Sequence, residues 1–186
     1  MSRFRGVLAA AAVVLSLSAC TTSARPDDPE TPSPFTDCAA VTGPAQTGTE
    51  LPDLALPCFT GGAQVNLRNL RLPAVINIWA SFCGPCREEL PVMQGLADRA
   101  DGRLTVLGVD SGDRRSAAAS FATDHGVSFP TLFDPDYRLA GELGHAGLPA
   151  TVFVGTDGKI YVHKSALTVD ELIEKVREHT GVTVTR

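Results

Sequence analysis

No run of about 18 apolar residues occurs in this 186-residue chain, so no membrane-spanning helix is expected. Positive charge is scarce as well. Sixteen Lys and Arg against 21 Asp and Glu leave a formal net charge of −5, without the basic face that nucleic-acid binding needs. A second Cys-x-x-Cys pair is missing, and the four histidines, His125, His145, His163 and His179, stand apart in the sequence. A structural zinc site draws four ligands from such pairs or from closely spaced histidines, so no metal is expected. Internal repeats are absent too, and the length suits one domain with some extra sequence.

What is present begins with a targeting pattern. Arg3 and Arg5 precede the short apolar stretch GVLAAAAVVLSL, and small residues lead up to Cys20. A basic start, a short apolar core and small residues make a secretory signal, assigned here to residues 1–19. The tetrapeptide Leu17-Ser18-Ala19-Cys20 resembles the bacterial lipobox, in which the chain is cut before a cysteine that carries lipid. Residues 20–37 follow, with Pro26, Pro29, Pro32 and Pro34 and few apolar side chains. Such a segment cannot bury enough surface to fold, so it is predicted to be a disordered tether.

From Cys38 the composition turns globular, and residues 38–186 are taken as the folded domain. The runs PDLALPCF and AQVNL flank the turn TGG and predict a hairpin. PAVINIWA reads as a buried strand, followed at once by Cys83-Gly84-Pro85-Cys86 and a helix to about Ala100. RLTVLGVD predicts a second buried strand and SAAASFATDHG a second helix; an extended piece, VSFPTLFD, and a short helix, DYRLAGELG, follow. PATVFVG, the turn TDG and KIYVHKS form a late hairpin. TVDELIEKVREHTG is an amphipathic helix capped by Thr168 and stopped at Gly181. A βαβ start, a late hairpin and a terminal helix are the thioredoxin arrangement: an α/β fold, here with an N-terminal β-hairpin extension and a central insertion.

The Cys83/Cys86 dithiol admits three readings: metal clamp, crosslink or redox centre. Zinc lacks partner ligands, and closing so small a ring barely constrains the unfolded chain. Redox chemistry fits. With the helix starting at Gly84, Cys83 sits at its N-terminus, where free N–H groups and the helix dipole favour a thiolate. Cys86, one turn inside, is the resolving thiol that attacks the mixed disulfide. Pro85 suits the first turn because its missing N–H has no partner there, whereas Pro91 is expected to kink the helix. At about 100° per residue, Glu89 lies nearly on the face of Cys86 and Glu88 points elsewhere. Trp79 reads as core. Peroxidatic cysteines sit in a Pro-x-x-x-Thr/Ser-x-x-Cys setting, and Ala80 occupies the place three before Cys83, so a thiol peroxidase is disfavoured.

The stretch WASFCGPCREELP, with GLPATVFVGTDGKI some sixty residues later, resembles the extracytoplasmic thioredoxins of the TlpA/ResA type, over roughly Glu50 to the C-terminus. Among these it is most similar to actinobacterial membrane-anchored members linked to cytochrome c maturation. The resemblance implies that Leu148-Pro149 is a cis bond facing the dithiol, with the Leu148 backbone free to pair with an extended substrate beside Gly84 and Pro85. It also implies that Glu89 tunes the thiols and relays protons, replacing the buried aspartate of cytosolic thioredoxin, whose counterpart here is Asn77. Phe82 replaces the usual tryptophan before the first cysteine. In an oxidising compartment the leftover Cys38 and Cys58 are expected to pair, tying the tether to the hairpin; a second redox pair or two separate thiols are the alternatives.

The function implied is a lipid-anchored, extracytoplasmic reductant of protein disulfides such as those of apocytochrome c, fed by a membrane thiol transporter. It needs no cofactor beyond its own disulfide, and a monomer is expected. A disulfide-forming oxidase of secreted proteins and a non-catalytic binding or haem-delivery scaffold are the rivals.

Overall fold

A computed structural model describes residues 33–145 and 147–186. The signal segment 1–19, Cys20 and most of the tether lie outside the described residues. Seven strands and four α-helices follow in order: β1 (Ala55–Pro57), β2 (Gln64–Asn66), β3 (Ala74–Trp79), α1 (Gly84–Ala100), β4 (Thr105–Ser111), α2 (Arg115–Asp124), β5 (Thr131–Asp134), α3 (Arg138–Glu142), β6 (Ala150–Val154), β7 (Ile160–His163) and α4 (Val169–Thr180). Strands β1 and β2 form the expected antiparallel hairpin. The other five make one sheet in the order β5-β4-β3-β6-β7, with β3, β4 and β5 parallel and β6 and β7 antiparallel.

Every residue of β3, β4, β5 and β6 is buried, as the unbroken apolar runs in these segments require of strands covered on both faces. One face carries Val75, Trp79, Val106 and Phe153 against Leu90 and Met93 of α1, Phe121 of α2 and Leu172 and Val176 of α4. The other carries Ile76, Ile78, Leu107, Val109 and Val152 against Leu56, Val65, Leu67 and Leu70 of the hairpin region and Leu139 of α3. Side chains alternate along a strand, so Asn77, between Ile76 and Ile78, is turned toward the α1 face. That placement shapes the site.

Helix α4 is held at both ends. Thr168 Oγ1 accepts from the Glu171 N–H while the Glu171 carboxylate accepts from the Thr168 N–H, and Gly181 takes the left-handed conformation that ends it. Helix α1 runs unbroken through Pro91.

The packed region reaches back beyond the boundary drawn at Cys38. Phe35 is buried, its ring 4.7 Å from that of Phe59 and 6.1 Å from Trp79, and the Thr36 N–H donates to the Ser128 carbonyl at 2.7 Å. A lone aromatic among prolines gives no periodic signal, yet burying it is worth about 1.5–3 kcal/mol.

Candidate active site

Cys83 and Cys86 are joined, with the Cys83 Sγ accepting from the Cys86 N–H at 3.2 Å. Cys83 has extended backbone angles and is the N-cap of α1, with Gly84 and Pro85 in the first turn. Its sulfur therefore occupies the place where a capping oxygen normally satisfies an orphan N–H. Cys83 is half-buried, and Cys86 is fully buried. The Leu148–Pro149 bond is cis, and a second cis bond, Leu72–Pro73, had no sequence signal.

In front of Cys83 lies an open pocket of about 850 Å³. Its walls include Phe82, Pro85, Tyr137, His145 and Leu148, so Cys83 forms part of a mainly apolar groove. Phe82 is 63% exposed, an unusual position for a large apolar side chain next to a reactive sulfur. The central insertion, through β5 and α3, supplies the far wall with Tyr137.

Glu89 is buried beneath this surface, on α1 one turn beyond Cys86. Its carboxylate accepts from Asn77 Nδ2 at 2.8 Å and from the Leu167 N–H at 2.9 Å. Asn77 also donates to Thr151 Oγ1 at 3.1 Å, which ties β3, β6, α1 and the approach to α4 into one polar network. Burial raises the Glu89 pKa above the ordinary glutamate value, against the hydrogen bonds from Asn77, Leu167 and Thr151 that lower it. Asn77 and Glu89 are thus partners, 12 residues apart in sequence but adjacent in space. Glu88 is exposed.

Cys38 and Cys58 form a second disulfide, both ends buried. Cys38 begins a 3-10 turn and Cys58 follows β1, so the bridge ties the start of the domain to the hairpin. Trp79 lies in the core, fully buried. Among the described residues no group of His, Cys, Asp and Glu is arranged to hold a metal ion, and no helix is long and apolar enough to cross a membrane.

Sequence reasoning passed over the loop after β4. Asp113 Oδ2 accepts from the Ser81 N–H at 2.5 Å and its Oδ1 from the Arg114 N–H at 2.7 Å. Asp110 is fully buried beside it. A carboxylate closing an otherwise apolar strand, as in LGVD, was the available signal. Gly112, at φ +68°, lies under the Tyr137 ring, so close that a Cβ would stand 1.8 Å from Cζ.

The AhpC/TSA family model matches residues 47–163. The thiol:disulfide interchange protein DsbE homolog of Paracoccus denitrificans is 37% identical over 125 residues, 66% of this chain and 67% of the relative. The thiol-disulfide oxidoreductase ResA of Bacillus thuringiensis is 26% identical over 117 residues, covering 62% and 67% of the two chains. A secreted Mycobacterium tuberculosis disulfide oxidoreductase homologous to E. coli DsbE superposes with a TM-score of 0.62 at 25% identity, covering 68% of this chain and 96% of that one.

Proposed function

The chain belongs to the AhpC/TSA family, on its thioredoxin-like branch, and is a thiol–disulfide oxidoreductase; we propose that it reduces protein disulfides outside the cytoplasmic membrane, with Cys83 as nucleophile. The observation that carries the assignment is the asymmetry of the pair. Cys83 caps α1 on the wall of an open apolar groove, while Cys86 is fully buried behind it. Helix-terminal N–H groups stabilise the Cys83 thiolate, and burial keeps the Cys86 thiol protonated until it is needed.

In the reductive direction the Cys83 thiolate attacks a substrate disulfide, forms a mixed disulfide and expels one substrate thiolate. Cys86 then loses its proton, attacks Cys83 Sγ and releases the second substrate thiolate. Two electrons have passed to the substrate, and the Cys83–Cys86 disulfide remains for a donor dithiol to reduce. Glu89, buried on the Cys86 face of α1, is the acceptor of the Cys86 proton in this scheme. The substrate lies extended along Leu148 and Pro149, with a side chain in the groove beside Phe82 and Tyr137.

Apocytochrome c haem-site cysteines are the proposed substrate, because such pairs oxidise outside the cell and must be reduced before haem attaches. A membrane thiol transporter supplies the electrons, and lipid on Cys20 holds the protein at the membrane. The Gly-Pro pair between the cysteines supports a potential of roughly −270 to −200 mV, near thioredoxin; a value near about −120 mV turns the assignment to an oxidase. The decisive experiment is trapping. Cys86→Ser, which attacks but cannot resolve, accumulates mixed disulfides, whereas Cys83→Ser traps almost nothing. Adducts rich in apocytochrome c or its assembly factors support the reductant; a broad sample of secreted proteins supports the oxidase. A Cys83→Ser protein with full function in cells overturns catalysis in favour of a binding scaffold.

A further inference from the structure

We propose that Asp113 is a positioning residue for the loop that presents Cys83. The proposal rests on Cys83 being the nucleophile, as assigned above.

The geometry begins with β3 and β4, which run parallel with Trp79 opposite Asp110. After Trp79 the chain turns toward the active site through Ala80, Ser81 and Phe82, and the Cys83 N–H closes that turn on the Ala80 carbonyl at 3.2 Å. After Asp110 the neighbouring strand ends at Ser111, and Gly112 and Asp113 follow in the loop. Asp113 reaches across to the Ser81 N–H. The loop carrying Cys83 is therefore fastened to the sheet by a carboxylate from the next strand, two residues before the nucleophile. Two backbone N–H groups, from Ser81 and Arg114, converge on that carboxylate.

Asp110 lies beside Asp113. Its side chain is fully buried, and neither oxygen meets a hydrogen-bond donor among the described residues. Burial raises the Asp110 pKa well above the ordinary aspartate value, and the charge of Asp113 adds to it.

Further charged groups surround the loop. Asp134, at the end of β5, adds negative charge but is taken up by Ser111 Oγ and the N–H groups of Arg138 and Leu139. Arg115, at the start of α2, draws Asp110 the other way, and its guanidinium lies over the rings of Phe59 and Phe133 while donating to the Phe59 carbonyl. The same short loop touches the groove, since Gly112 lies beneath Tyr137. It braces both the nucleophile and the opposite wall.

Three reduced proteins test this: wild type, Asp113→Ala and Asp113→Asn. The pH midpoint of iodoacetamide alkylation is measured with the modified cysteine identified by mass spectrometry. Loosening the loop costs Cys83 its helix-end donors, so Asp113→Ala raises the midpoint by about one pH unit, a tenfold loss of thiolate below it. Asp113→Asn, a neutral acceptor of the same shape, moves it less in the same direction, and carries the test if the alanine variant does not fold. An unmoved midpoint in both Asp113 variants, with Cys83 still the alkylated residue, overturns the positioning role. Alkylation at Cys86 in wild type overturns the nucleophile assignment itself, and the positioning role with it.

Discussion

Glu89→Gln separates two opposing forces on one buried carboxylate. The ionised side chain accepts from Asn77 Nδ2 and the Leu167 N–H, and hydrogen bonds to a charged group are worth about 1.5–3 kcal/mol each. Against them stands the cost of holding a charge away from water, several kcal/mol for a buried ion. Burial is the larger, because the pKa is raised. A carboxyl with a raised folded-state pKa contributes stability that is complete below its unfolded value, about pH 4.3, and lost as pH rises through the folded value. Glutamine has no such dependence. It does present an NH₂ to one of two converging donors, leaving that donor unpaired at about 1–3 kcal/mol at every pH. Urea unfolding of the two oxidised proteins from about pH 4 to about pH 8 should therefore show wild type losing its advantage over Glu89→Gln as pH rises. A wild-type advantage that grows with pH refutes the reasoning, because the hydrogen bonds would then outweigh burial. The same variant tests chemistry: if Glu89 takes the Cys86 proton, decay of a preformed mixed disulfide slows by about 10²-fold.

Three further outcomes are expected. Replacing Cys38 and Cys58 together by alanine opens a loop closed over a sequence separation of 20 and costs about 3 kcal/mol by chain entropy, read from urea unfolding; the Cys83–Cys86 potential should stay unchanged, and a moved potential would mean that the second disulfide takes part in the redox cycle. Gly112→Ala forces a side chain into a left-handed conformation at about 1–2 kcal/mol and drives Tyr137 off the loop, so melting temperature and the rate with a protein disulfide both fall. Cys20→Ser should leave the protein unprocessed or released from membranes, and equal incorporation of labelled fatty acid into the mutant would defeat the lipid assignment.

The sequence alone determined the elements and their order. Continuous apolar runs marked β3, β4 and β6, Thr168 and Gly181 marked the ends of α4, and Cys-Gly-Pro-Cys after a buried strand marked the start of α1. These are local signals, carried by propensity, capping and periodicity within a few residues. The 100° rule also separated Glu89 from Glu88, because both lie on the same helix as Cys86. The tertiary structure decided what depends on parallel strands meeting across long separations. That Asn77 donates to Glu89, that Phe35 seals the core beside Phe59 and Trp79, and that Asp113 fastens the Ser81 loop follow from register between segments 12 to 44 residues apart. Asp110 shows the difference most directly. In sequence it is a charge at the end of a strand, like many that face water; in the fold, β3 and β5 pair with its strand on either side, and its surroundings hold another carboxyl rather than solvent.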